Sequence, residues 1–424
     1  MAGRLTRRQF GMLSAAVLGG VPMPAHAATW KQREFVIGIW SPPPPSETTA
    51  ARYTEIAQVG CNLVLGGNGV QDRDLSLRML DACRQAGLKA LVLDGRVYGG
   101  KASAVGDVLR DYKGHPALYG LLLQDEPSCT AFEALGATVE QLRRQAPELL
   151  GFINLFPNYA TTAQLGCDGY ETYVSRFVRE VRPAVLCFDH YPLLRGGERD
   201  DFYANLEVVR REAVKAKVPF WVTVQAEGIQ GALRSPSETE MGWQVWSSLA
   251  YGASGILYFT YWTPPAGGGE AHFDGILSED GRRRARYEWV KELNSGLRRI
   301  GSRLLGLTSL AVYHTDPVPK GCSPVQKGRV LEGLEGGPAL VGMFRLSNER
   351  TALLVVSRDF RQTVHVKLNL HDDVISLIEL RPDGSESKEL LRRELKFPAL
   401  YEFDMEPGTA KLFVAEREKF RVRD

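Results

Sequence analysis

The chain has 424 residues, of which 44% are apolar and 24% charged, with a formal charge of +2. This composition describes a folded globular protein, not a disordered or fibrous one, and the length exceeds the roughly 250 residues of a single α/β barrel. The near-neutral charge leaves no electrostatic footprint for nucleic acid, and no internal segment reaches the roughly 18 apolar residues of a membrane helix.

An export leader comes first in chain order. Thr6-Arg7-Arg8-Gln9-Phe10 has the form of a twin-arginine motif, Met12 to Val21 is a short apolar run, and Ala25-His26-Ala27 has the small-x-small form of a cleavage site. The expectation is a twin-arginine signal peptide over residues 1–27 and a periplasmic or extracellular mature protein. Cleavage removes three arginines and no acid, so the mature charge falls to −1.

Eight apolar strand-like segments follow, at 36–40, 62–66, 90–94, 119–127, 151–157, 184–192, 220–228 and 255–262, with room for one helix between each pair. This rhythm predicts an α/β fold, a (β/α)8 barrel over residues 28–305. The stretch 72–86 places Leu75, Met79, Cys83 and Ala86 on one helical face, with Gly87 as its stop. Ser235-Pro236-Ser237-Glu238 offers a capping box for a helix carrying Met241, Val245 and Leu249. Arg282 to Leu305 is amphipathic and reads as the eighth helix. A doubly wound open sheet would need G-x-G-x-x-G after the first strand, where Ser41 and Pro42 to Pro45 stand instead.

Beyond residue 306 the pattern shortens to alternating runs at 309–314, 339–346, 351–359, 363–370, 375–380, 399–405 and 410–415. Pro382-Asp383-Gly384 and Glu406-Pro407-Gly408 punctuate them. They predict an antiparallel β-sandwich over 306–424 that packs on the barrel and carries no catalytic cluster. The six cysteines, Cys61, Cys83, Cys129, Cys167, Cys187 and Cys322, have no C-x-x-C spacing and are expected mostly as buried thiols.

Chemistry in such a barrel gathers at the C-terminal strand ends. Glu126 closes the fourth strand in Gln124-Asp125-Glu126-Pro127, and Glu227 closes the seventh in Val224-Gln225-Ala226-Glu227-Gly228. Two carboxyls flanking a bond are the machinery of glycoside cleavage: one protonates the leaving oxygen, the other attacks the sugar or activates water. In a regular strand Asp125 and Glu126 point to opposite sides, so only one faces the pocket. Asp189 ends the sixth strand and competes with Glu227, with His190 and Tyr191 beside it. Trp40, Tyr98, Phe156, Tyr159, Tyr191, Tyr258, Tyr261 and Trp262 stand at or beyond strand ends, where aromatic planes stack on sugar rings. Trp262 is the first choice among them, and Trp221 reads as core. Asn154 and Gln225 are candidate donors to sugar hydroxyls. There is no H-x-H, H-E-x-x-H, G-x-S-x-G or G-x-x-x-x-G-K-[ST], so no metal or cofactor is expected.

The Gln124-Asp125-Glu126-Pro127 motif, Asp189-His190-Tyr191-Pro192, and Leu249 to Ile256 leading into Tyr258-Phe259-Thr260-Tyr261-Trp262 resemble bacterial beta-galactosidase-like proteins. These belong to the large retaining glycosidase superfamily with barrel folds. The resemblance spans the barrel and implies Glu126 as acid/base and Glu227 as nucleophile. Asp125 departs from the Asn that usually precedes the acid in that superfamily. Three readings follow: a retaining hydrolase of glycosides or of oligo- or polysaccharides; an inverting one pairing Glu126 with Asp189 or Asp125; and a non-catalytic glycan-binding barrel.

Overall fold

The computed structural model describes residues 30–265, 270–346, 350–381, 383–390 and 399–417; the expected leader and Pro382 of the expected turn lie outside them. Eight parallel strands form the barrel: β1 Val36–Ile39, β2 Leu63–Leu65, β3 Lys89–Leu93, β4 Leu118–Asp125, β5 Leu150–Asn154, β6 Leu186–His190, β7 Phe220–Gln225 and β8 Gly255–Phe259. Their order is β5-β4-β3-β2-β1-β8-β7-β6, and the Leu155 N–H to Cys187 carbonyl bond of 2.8 Å closes β5 onto β6. Among the described residues eight helices of eight residues or more surround them: α1 Ala50–Gln58, α2 Arg73–Ala86, α3 Val105–Tyr112, α4 Phe132–Gln145, α5 Tyr170–Val181, α6 Phe202–Ala216, α7 Glu238–Ala250 and α8 Ala285–Leu304.

Alternation along the strands divides the core into two layers. Leu63, Leu65, Leu91, Leu122, Leu150, Phe152, Cys187, Trp221 and Leu257 fill the barrel interior, as the core reading of Trp221 expects. Ile37, Val64, Val92, Leu121, Phe188 and Ile256 face the helices. Trp30 meets Tyr119 and Trp221 edge-on at 5.8 and 6.3 Å at the N-terminal end. A cavity of about 1120 Å³ lies at that same end, lined by residues such as Trp30, Arg210 and Phe220 and by none of the strand-end carboxylates. The helix stops follow local chemistry. Asp72 caps α2 and Gly87 ends it at φ +73°. The capping box of α7 is Ser237 with Glu240, two residues later than expected, and Arg286 holds the Pro236 carbonyl at 2.8 Å in the preceding loop.

Among the described residues nine strands follow: β9 Thr308–His314, β10 Leu331–Gly336, β11 Ala339–Arg345, β12 Thr351–Ser357, β13 Val364–Leu370, β14 Val374–Leu380, β15 Glu386–Leu390, β16 Ala399–Met405 and β17 Ala410–Arg417. They form a six-stranded antiparallel sheet, β9-β11-β12-β17-β14-β15, and a three-stranded one, β10-β13-β16. Leu331, Val341, Leu353, Val366 and Phe413 pack in the core they share. The outer face of the larger sheet extends the barrel core through Val312, Leu340, Phe344 and Leu354. Gly342 makes that approach close: a Cβ there would stand 2.0 Å from the Ala250 carbonyl oxygen of α7.

Candidate active site

The end of β4 is irregular. Its pairing with β5 slips between Leu122 and Gln124, which sets Asp125 level with Asn154. Glu126 then takes φ +45°, the left-handed region that side-chain-bearing residues seldom enter, while its N–H stays bonded to the Asn154 carbonyl at 2.9 Å. The expected alternation therefore fails, because it required a regular strand. Asp125 and Glu126 belong to one acidic group with Asp189, whose inward position at the end of β6 follows from that of Cys187 two residues earlier.

Asn154 sits between the aspartates. Its Nδ2 donates to Asp125 Oδ1 at 3.0 Å and to Asp189 Oδ1 at 3.1 Å, and its own Oδ1 is buried without a partner. Asn154 and Asp189 are buried, whereas Asp125 and Glu126 keep part of their surface open. Burial pushes Glu126 up to about 9, reinforced by the charges of Asp189, Asp125 and Glu270. Burial likewise raises Asp189 to about 7, with Asp125 adding to it, and Asp125 to about 6 against the Asn154 hydrogen bond.

Glu227 follows β7 and is 1% exposed. Its Oε1 accepts from His272 Nδ1 at 2.6 Å, and its Oε2 is buried with no partner. Burial raises its pKa and the His272 bond works against that; the same bond raises the pKa of His272. His272 arrives from the chain after β8, where His272–Phe273 pairs antiparallel with Gly228–Ile229. Arg286 of α8 clamps this loop through the Asp274 carboxylate at 3.2 Å and the Pro236 carbonyl.

The aromatic and amide candidates divide by the direction of their strands. Trp40 packs inside the barrel against Phe152 at 6.3 Å, its Nε1 donating to Thr223 at 3.3 Å. Tyr191 is half-buried and stacks on Phe259 at 5.6 Å, and Tyr98 accepts a hydrogen bond from the Asp125 N–H at 3.2 Å. Tyr159 lies under the Arg199 guanidinium and accepts from the Tyr191 N–H at 3.4 Å.

Other candidates turn away. Tyr258 faces outward, its hydroxyl on Asn294 of α8 at 2.8 Å; Tyr261 is fully buried in the same outer layer, and Phe156 packs there on Tyr173. Trp262 is not a pocket wall. Beyond β8 the chain returns along β1, with Trp262 N–H on the Ser41 carbonyl, and its ring is covered by Arg52 at 5.1 Å. Gln225 is engaged on both ends of its amide, with Leu193, Glu227 and Arg234 backbone groups, so it holds the loops together and has no free donor for a sugar. His190 points to α6, where Nε2 meets Asp201 at 3.1 Å between the rings of Tyr159 and Phe202; burial lowers its pKa. It therefore supports the wall, not the carboxylates.

Sequence reasoning missed His272, Glu270 and Phe259. Phe259 is signalled by strand parity, two residues beyond the inward Leu257. His272 leaves only the polar alternation Glu270, His272, Asp274 as a hint of a strand in that loop.

A sequence model of the glycoside hydrolase 42 family, described as beta-galactosidase, matches residues 169–300, which hold Asp189, Glu227 and His272. No curated protein sequence matches. A catalytic mutant of Gan42B, a GH42 beta-galactosidase from G. stearothermophilus, superposes with a TM-score of 0.63 at 9% identity, over 92% of this chain and 100% of its own. The beta-galactosidase from Bacillus circulans sp. alkalophilus gives 0.59 at 9% identity, over 90% and 99%. For that from the psychrophilic Marinomonas ef1 the score is 0.50 at 11% identity, covering 64% of this chain and 62% of the other, so this chain spans under two thirds of its length. The chain thus has the barrel-plus-sandwich fold seen in GH42 beta-galactosidases, and the stretch matched by the family model lies across three of its strand-end loops.

Proposed function

We propose that this protein is an exported glycoside hydrolase with Glu126 as general acid/base. One observation carries the reading: at the end of β4 a left-handed backbone turn sets Glu126 beside Asp125 and Asp189, where its own burial first and the neighbouring carboxyls second raise its pKa, as a general acid requires. Glu227 is the nucleophile of a retaining mechanism, with Oε1 oriented by His272 and Oε2 unclaimed. Glu126→Gln is expected to lower hydrolysis of aryl glycosides by about 100- to 10,000-fold, and less for substrates with good leaving groups. Undiminished turnover by a folded Glu126→Gln protein rejects the assignment, and no turnover of any aryl glycoside by wild type leaves a glycan-binding barrel. A second reading pairs Glu126 with Asp189 or Asp125, whose charges act on it, in an inverting enzyme in which one of them activates water; it requires the wider carboxyl separation, roughly 6.5–9.5 Å, that admits that water. The anomer of the first product, read by NMR before mutarotation, separates the two. Export by the twin-arginine route is tested by replacing Arg7 and Arg8 with lysine, which should trap the precursor.

A further inference from the structure

The mouth of the barrel gathers carboxyl groups. Asp125, Glu126 and Asp189 crowd together around Asn154. Among the described residues none of the three forms an ion pair with a protein cation. The neighbouring cations are engaged elsewhere: Arg199 lies on the Tyr159 ring and the Tyr191 carbonyl, His272 on Glu227, and Arg286 on Asp274. One further acceptor in this group, Asn154 Oδ1, belongs to a side chain only 3% exposed and has no partner.

Carboxyls crowded and buried without a countercharge resist ionising, so Asp125, Asp189 and Glu126 hold their protons to higher pH, and a buried acceptor without a donor adds to the penalty. A neutral sugar supplies hydroxyl donors but no charge. A metal ion would supply charge, yet no three Asp, Glu, His or Cys side chains among the described residues are arranged to hold one. A primary ammonium group supplies both a positive charge and three donors.

We propose that the pocket selects a glycoside of an amino sugar, whose protonated amine lies among Asp125, Asp189 and Asn154 beside Glu126. The proposal rests on the glycoside hydrolase reading and names its substrate class. The bound cation would also draw the Glu126 carboxyl down from about 9 toward neutrality, where a general acid works best. N-acetylation removes the charge and two of the donors, so the acetylated sugar should lose the advantage.

Calorimetry on the full mature chain tests this without catalysis, using D-galactosamine and D-glucosamine against D-galactose, D-glucose and the two N-acetyl sugars. At least one amine is expected to bind about 10- to 100-fold tighter than its neutral parent, the factor that a charge-assisted hydrogen bond supplies. Added salt should erode the preference, and Asp125→Asn and Asp189→Asn should each reduce it. Equal or weaker binding of both amines by wild type overturns the proposal, whatever the variants do. The hydrolase reading fails on a different measurement, the absence of turnover on every aryl glycoside, neutral or amino.

Discussion

Glu126 combines two unfavourable features, a left-handed backbone and a carboxyl among other carboxyls. Strain of this kind, on the order of 1–3 kcal/mol, persists where the surroundings over-determine it and tends to mark functional positions. The Glu126 N–H bond to β5 and the start of the next loop at Pro127 hold it there. Burial raises the Glu227 carboxyl too, and His272 counteracts part of that effect. His272→Ala should therefore raise the Glu227 pKa. If Glu227 must be ionised to attack, the acidic limb of the kcat/KM profile moves to higher pH while the basic limb, set by Glu126, stays. An unshifted acidic limb would separate His272 from the nucleophile. These couplings were not legible in the chain: His272 is 45 residues beyond Glu227 and meets it only because two short loop strands pair.

At the scale of elements, the strand-end loops are cross-braced. The loop after β8 is pinned by Arg286, and the loops after β6 and β7 by the Gln225 amide. The loops after β4 and β5 meet through Cys129 and Cys167, whose sulfurs are in contact, whereas Cys61, Cys83 and Cys187 are buried singly as small apolar residues. Neighbouring thiols are open to oxidation wherever the surroundings are oxidising. Treatment with oxidised glutathione should join Cys129 to Cys167, read as a linked peptide pair by mass spectrometry, and leave Cys61, Cys83 and Cys187 as thiols. Labelling of both Cys129 and Cys167 after that treatment would refute the bridge. Strand identities and the helix stop at Gly87 were readable, because period and capping are local. The strands Leu331–Gly336 and Glu386–Leu390 were not, because their Gly- and Glu-rich sequences become strands by pairing with neighbours.

At the scale of the molecule, barrel and sandwich share apolar core, and Gly342 is where backbone meets backbone. Gly342→Ala should destabilise by about 1–3 kcal/mol, the usual penalty of overpacking, and lower Tm without changing the KM of the remaining folded enzyme. The acidic mouth gives stability an unusual pH dependence. Asp125, Asp189 and Glu126 are raised to about 6, 7 and 9 from ordinary values of 3.8 and 4.5, so the folded state holds their protons more tightly than the unfolded chain. Their contribution is complete below about pH 4 and is lost as pH climbs through the range from about 6 to 9. Tm should thus fall between pH 5 and pH 9, and Asp189→Asn should flatten the slope; a Tm that rises over that range contradicts the grouping of the three acids.

Length, strand rhythm and alternation sufficed for the barrel, the sandwich and the acids at the strand ends, because periodicity is a property of neighbours in the chain. Which way each strand-end side chain points depended on tertiary structure. A slipped pairing turned Asp125 and Glu126 into one group, the return of the chain along β1 buried Trp262, and pairing across loops brought His272 to Glu227. Those events depend on partners far away in sequence, and local propensity does not encode them.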